Sequence, residues 1–183
     1  MIRPDLCLDY ANTRYWRPMA QPTETLNTAE DLAAWAHAAW SRAAKTPARK
    51  ELDYALVLRE ALYRLFDATT QGKTPAARDL QALNAALAEA PSRSRLRKDS
   101  GGFSWDVEIK ASTALALLAP VLWSAGDLLT GTKLDKVKRC ANPDCGWLFL
   151  DDSRAGKRRW CSMQSCGNRA KARRHYHKVA AEG

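Results

Sequence analysis

Four cysteines close the last quarter of this chain, Cys140, Cys145, Cys161 and Cys166, as two C-x4-C pairs with fifteen residues between them. Thiolates are soft ligands, and four of them complete the tetrahedral shell of a structural Zn²⁺, leaving no position open for chemistry. The spacing thus predicts a segment folded around one metal ion. Disulfides and an iron–sulfur cluster are the other uses of four such cysteines. The first twenty residues argue against disulfides: Arg3, Asp5, Asp9, Arg14 and Arg17 interrupt them, so they lack the long apolar run of a secretory signal. No run of about 18 apolar residues follows that could span a membrane. Reduced thiols in a cytoplasm are therefore expected, and Cys7, set between Leu6 and Leu8, reads as a small buried hydrophobe.

The 183 residues suit one domain and a small module. Charge divides them unequally. Residues 1–131 carry 16 Lys and Arg against 15 Asp and Glu, a net of +1, whereas residues 132–183 carry 13 against 5, a net of +8. One Zn²⁺ with four thiolates adds about −2, which lowers the second total without reversing it. A basic module of this kind points to a polyanion, most simply nucleic acid, bound through its phosphates with release of counterions. A surface that merely confers solubility needs less asymmetry.

Within the module, Pro143 and Gly146 make the tight turn of a zinc knuckle that aims Cys140 and Cys145 at one ion. Residues 147–150 have strand character, 151–156 read as a turn, and 157–160 are expected to return as the partner strand. After Ser162 the composition favours helix, so the last ligands fall at a helix start. Knuckle, hairpin and helix together predict a treble-clef finger. A two-hairpin zinc ribbon is the other arrangement the segment allows.

Helical spacing sorts the basic residues that follow. Ala172, Tyr176, Val179 and Ala180 share one face and are expected to pack on the hairpin. Lys171, Arg174 and Lys178 fall opposite, and with Lys157, Arg158 and Arg159 of the hairpin they form a candidate nucleic-acid surface, to which Arg173 is added. Arg169 and Arg173 flank the apolar seam, and Arg169 is expected to satisfy knuckle carbonyls or screen the thiolates, with Asn168 in the same supporting role. His175 and His177 read as helix surface rather than ligands.

These residues carry a resemblance. Cys166-Gly167-Asn168-Arg169, preceded by Arg159-Trp160-Cys161-Ser162-Met163 and by Cys145-Gly146-Trp147-Leu148-Phe149-Leu150-Asp151, resembles the CGNR zinc finger of bacterial transcription regulators over roughly residues 137–178. The resemblance implies structural zinc on Cys140, Cys145, Cys161 and Cys166 and a DNA-binding role. Leu6-Cys7-Leu8-Asp9-Tyr10-Ala11-Asn12-Thr13 resembles the opening of the ABATE domain that precedes the finger in that family.

Taken alone, the N-terminal part is mainly helical. Asn27 with Glu30 suggests a capping box for a helix through Leu32, Trp35, Ala36 and Ala39 to about Ala44. Thr46-Pro47 and Thr74-Pro75 read as helix starts. The first of those helices is striped by Leu52, Leu56, Arg59, Leu62, Tyr63, Leu65 and Phe66 and ended by Gly72; the second carries Leu80, Leu83 and Leu87 up to Pro91. Residues 93–98 and 103–109 bracket a turn and predict a hairpin. Residues 111–129 are helical in composition, with Pro120 expected to kink or divide them. Gly131-Thr132 marks a short hinge. The expected fold class is α+β, with a mainly α-helical domain bearing a small β-hairpin over residues 1–131 and a treble-clef-like zinc finger over residues 132–183.

An enzyme is not expected. His37 has no nucleophile or carboxylate partner in its own segment, Asp5 and Asp9 lie in a stretch read as extended, and no Gly-rich phosphate loop occurs. Trp16, Trp35, Trp40, Trp105 and Trp123 read as core. The sequence therefore describes a cytoplasmic, nucleoid-associated regulator whose finger engages duplex DNA. Its N-terminal domain is expected to fold without zinc and to form a homodimer, sense a small-molecule effector or bind partners. A structural adaptor whose finger binds protein and an RNA-binding protein are the alternatives.

Overall fold

The computed structural model describes residues 3–40, 46–99, 101–106 and 113–174. Among these, helices α1 (Leu6–Ala11), α2 (Ala29–Trp40), α3 (Arg49–Thr70), α4 (Ala77–Glu89) and α5 (Ala114–Thr130) enclose the main core. Three antiparallel ribbons accompany them: β1 (Arg14–Tyr15) with β2 (Thr23–Glu24), β3 (Leu96–Asp99) with β4 (Gly102–Trp105), and β5 (Val137–Arg139) with β6 (Leu148–Leu150). A last helix, α6, covers residues 163–174 and opens on a widened π turn at Met163–Gly167.

The opening segment is helical rather than extended. Asp5 and Asp9 are brought to one side of α1, where both pair with Arg3. The other side is buried between α3 and α5: the Cys7 amide donates to Ser124 Oγ at 3.1 Å, and the Tyr10 hydroxyl donates to the Ala55 carbonyl at 2.6 Å. Burial pushes the Cys7 thiol up to about 12, so it remains a protonated apolar side chain.

The helix starts differ from the sequence reading by one or two residues. Thr28, not Asn27, caps α2, its Oγ1 accepting from the Asp31 amide while the Asp31 carboxylate accepts from the amides of Asn27 and Thr28. The predicted end of α2 near residue 44 lies outside the described residues. Pro47 and Pro75 hold the chain extended, so α3 and α4 begin two residues later behind Ala48 and Ala76 without a side-chain cap. Gly72, at φ +64°, stops α3: its own amide and that of Lys73 turn back to the carbonyls of Thr69 and Ala68. Leu80 of α4 is exposed, and Leu83 and Ala86 carry the packing instead. α5 runs undivided through Pro120, buried on nearly every side and capped by Thr113.

The finger is joined to this core rather than hinged from it. β6 pairs with β5, not with residues 157–160, so the knuckle is the loop of the β5–β6 hairpin. Residues 157–160 form no ladder because their backbone has other partners: the Arg158 amide donates to Asp151 Oδ2, and the Arg159 carbonyl accepts from Ala141. Val137, Leu148 and Leu150 belong to the same apolar cluster as α1, α3 and α5. The free edge of β6 is closed by Asn12, whose side-chain amide donates to the Leu148 carbonyl at 2.7 Å and accepts from the Leu148 amide at 3.0 Å. From α3, the Tyr63 hydroxyl donates to the Gly146 carbonyl at 2.7 Å, and Asp67 pairs with Arg139 at 3.1 Å.

Gly146 sits at the tightest point of this seam. Its φ of +69° is left-handed, and a Cβ there would lie 3.1 Å from Pro18 Cδ and 3.2 Å from both Arg17 Cβ and Tyr63 Oη. Gly146→Ala is therefore expected to lower stability by about 2–4 kcal/mol in denaturant unfolding with zinc saturating. An unchanged unfolding midpoint would show that the seam yields freely.

Candidate metal centre and its basic surroundings

Cys140 follows β5, Cys145 ends the knuckle, Cys161 precedes α6 and Cys166 lies in its first turn. Their four Sγ atoms lie within 4.8 Å of one another, and none is in a disulfide. Cys161 Sγ stands 3.7 Å from both Cys145 Sγ and Cys166 Sγ. A tetrahedron with Zn–S bonds of about 2.3 Å has edges of about 3.8 Å, so the donor set fits a zinc ion in both chemistry and spacing.

Crowding of the thiols makes the cation necessary. Hydrogen bonds from Cys145 and Cys161 lower the Cys140 pKa, and the same contact with Cys140 raises that of Cys145. One thiolate thus opposes ionisation of its neighbours until a divalent ion displaces their protons. N–H groups support the sulfurs: Asn142 Nδ2 donates to Cys166 Sγ and the Cys161 amide to Cys140 Sγ, each at 3.5 Å. Phe149, Trp16, Trp147 and Trp160 pack around the cluster. Zinc here ties the β5–β6 hairpin, the loop before Cys161 and α6 to one point.

A second anchor lies beyond the metal. Asp151, 1% exposed, accepts from Lys138 Nζ at 2.6 Å, from Ser153 and from the Arg158 amide. Lys138 and Ser153 hold its carboxyl well below the usual carboxylate range, so it stays ionised and fastens the 151–158 loop.

The basic residues singled out in the sequence divide between two uses. Arg158 folds back: its guanidinium donates to the carbonyls of Trp160 and Cys161 and lies 4.5 Å from the Phe149 ring centroid. Arg173 pairs with Asp144. Lys157, Arg159, Lys171 and Arg174 are exposed, Arg159 lying over the Trp160 ring. Lys178 lies outside the described residues, as do His175, Tyr176, His177, Val179 and Ala180.

The supporting roles expected of Asn168 and Arg169 belong to other groups. Asn168 Nδ2 donates to the Gln164 carbonyl within its own helix, and the exposed Arg169 guanidinium lies 4.4 Å from the Trp16 ring centroid. Asn142 is the side chain that reaches a thiolate. Ala172 is exposed rather than on the inner face. The reason is phase: Cys166 must point at the metal, which puts Ala170 and Arg173 on the knuckle side and Ala172 away from it. Asn12, Asn142 and Trp16 were not legible as partners of the finger. An amide in the buried Tyr10-Ala11-Asn12-Thr13 run and another inside the knuckle were the available signals.

Among the described residues, no helix is long and apolar enough to cross a membrane. The family model of ABATE, described as "Putative stress-induced transcription regulator", matches residues 4–132, and that of the CGNR zinc finger matches residues 136–179. No curated protein matches the chain. The two models together account for the resemblances seen at both ends of the sequence, and the four clustered cysteines hold a structural zinc ion.

Proposed function

The chain belongs to the ABATE family and ends in a CGNR zinc finger, and from that premise we propose that it is a transcription regulator whose zinc-held finger grips the phosphates of duplex DNA. One observation carries this reading: the positive charge left over once the finger's own ion pairs are made. Asp144, Asp151 and Asp152 are taken by Arg173, Lys138 and Lys133, and Asp67 of α3 takes Arg139. Among the described residues, Arg154, Lys157, Arg159, Lys171 and Arg174 remain exposed with no acidic partner. That is the footprint of a phosphate-binding surface. Neither family is one of enzymes, and a zinc ion with four thiolates keeps no position for a substrate.

The helical part holds the finger through a shared core, so self-association or an effector bound by α1–α5 would act directly on the finger's position. The exposed apolar face of the β3–β4 ribbon, where Leu96 lies opposite Trp105 beside Phe103, supports a homodimer.

With about four phosphates engaged, log K against log salt should fall with a slope near −3.6, and each of Lys157→Ala, Lys171→Ala and Arg174→Ala should flatten it by about 0.9. Arg173→Ala should leave the slope unchanged, since its charge is already paired. If the triple variant keeps the wild-type slope, the surface is not a DNA contact and the finger is better read as a protein adaptor. Tighter binding to duplex RNA than to DNA would keep the surface and change the polymer.

A further inference from the structure

Beside the zinc centre lies a cleft of about 230 Å³ whose walls are Tyr15, Trp16 and Trp147, whose floor is three of the ligand cysteines, and whose rim carries Ser162 and Ser165. Neither part of the chain builds it alone: Tyr15 ends β1, Trp16 opens the turn after it, and Trp147 follows the knuckle. Tyr15 and Trp147 stand 5.3 Å apart with their rings tilted by 41°, and Tyr15 remains 37% exposed. Trp16 is held at φ +53°, the one described non-glycine residue in the left-handed region. A bulky residue keeps that conformation only where its surroundings impose it, and such strain concentrates at binding sites.

Three chemical features meet here. The walls are flat and aromatic. The floor is electron-rich, because the sulfurs of a zinc centre carrying four thiolates favour N–H groups and repel anions. The edge is cationic, since the exposed Arg169 guanidinium lies over the Trp16 ring. An aliphatic ligand would use none of these, and a simple anion would be turned away by the floor. A nucleobase uses all three: its faces stack, its N–H edge meets the sulfurs, and its phosphate meets the arginine. Arg169 shares α6 with Lys171 and Arg174 but projects from another side of it, about 140–160° round the axis, so a strand that reaches the cleft must cross the helix from the phosphate surface described above.

We propose that this cleft receives one unstacked base of the nucleic acid held by the finger, a site that rests on the DNA-binding reading and adds a preference for locally unpaired strands. The test uses the full-length, zinc-loaded chain with a short paired duplex, the same duplex carrying one bulged adenine, and free AMP, followed by anisotropy and tryptophan fluorescence at fixed salt. The bulged duplex should bind about tenfold more tightly and quench tryptophan emission. Tyr15→Leu should abolish that preference without changing zinc content or paired-duplex affinity, and Tyr15→Phe should retain it. Ser165→Phe, which fills the mouth without removing a wall, should act like Tyr15→Leu. Equal affinity for bulged and paired duplexes overturns the cleft while leaving the finger's DNA role standing, as does a preference that survives both Tyr15→Leu and Ser165→Phe. Tight AMP binding without any bulge preference overturns it too, in favour of a free-nucleotide site. Failure to bind either duplex removes the DNA reading itself, and this proposal with it.

Discussion

Chelating zinc from the full-length chain should unfold the helices as well as the finger, in one transition seen together by far-UV circular dichroism and tryptophan fluorescence. Zinc–thiolate binding contributes on the order of 10 kcal/mol in isolated fingers, comparable with the whole stability of an ordinary domain. Its loss frees the β5–β6 hairpin, and that hairpin is part of the main core: Val137, Leu148 and Leu150 leave the cluster formed with α1, α3 and α5. Asn12 and Tyr63 lose their backbone partners at Leu148 and Gly146, which strands buried polar atoms. A Cys161→Ser, Cys166→Ser double variant should behave the same way without chelator, whereas Cys7→Ser should retain one zinc per chain. Helices that keep their melting temperature after zinc removal would restore the picture of two independent domains, in which residues 1–131 fold without metal.

Arg59→Met should cost about 3 kcal/mol. Arg59 is 2% exposed on the apolar side of α3, yet it is fully engaged. Its two terminal nitrogens each lie 2.6 Å from a Glu24 oxygen, its Nε donates to Glu60, and Nη1 also reaches Thr13. Glu60 is held from the other side by Arg17, whose guanidinium lies 3.8 Å from the Tyr63 ring centroid. Without Arg59, Glu24 keeps its charge in a half-buried place with only the Thr25 and Leu26 amides to meet it and no counter-charge. Adding Glu24→Leu should recover part of the loss, because the unpaired charge, rather than the missing attraction, dominates the penalty.

The same network has a pH signature. Burial alone would raise the Glu24 and Glu60 pKa values, but Arg59 and Arg17 overcome it and hold both below the usual value. A carboxylate whose folded pKa is depressed stabilises the fold above its unfolded pKa of about 4.3, and that contribution fades as pH falls through the folded value. The stability gap between wild type and Arg59→Met should therefore narrow on acidification from neutral pH to below about 4. A gap independent of pH would assign the loss to packing instead.

The metal set was legible because four thiolates in two short-spaced pairs admit few uses, and the helices because their apolar residues repeat at helical spacing. The pairing of β6 was not. Residues 148–150 and 157–160 both suit strands, and nothing local says that the second will spend its amides and carbonyls on Asp151 and Ala141. The absence of a hinge was equally hidden. Gly131 looks like a boundary, but Asn12 and Tyr63 recognise backbone atoms at Leu148 and Gly146, and a backbone carbonyl has no sequence signature. Arg59 was visible as a charge inside an apolar stripe, which should have raised the question of its partner. Arg158 and Arg173 show the limit of counting cations: charge identifies a basic module, while only geometry separates an arginine facing a phosphate from one holding its own carbonyls.

The pairing of Asn12 with Leu148 spans 136 positions, and that of Cys7 with Ser124 spans 117. During synthesis α1 precedes both partners by more than a hundred residues, so it waits with an apolar face uncovered. Pairings of such long reach slow folding and leave the nascent chain open to capture by chaperones or to self-association. A message broken after residue 131 would keep Ser124 for Cys7 but lose Leu148 and Gly146, leaving Asn12 and Tyr63 without their backbone partners. Synthesis of the β5–β6 hairpin and capture of zinc are thus expected to be the step that closes the seam around α1.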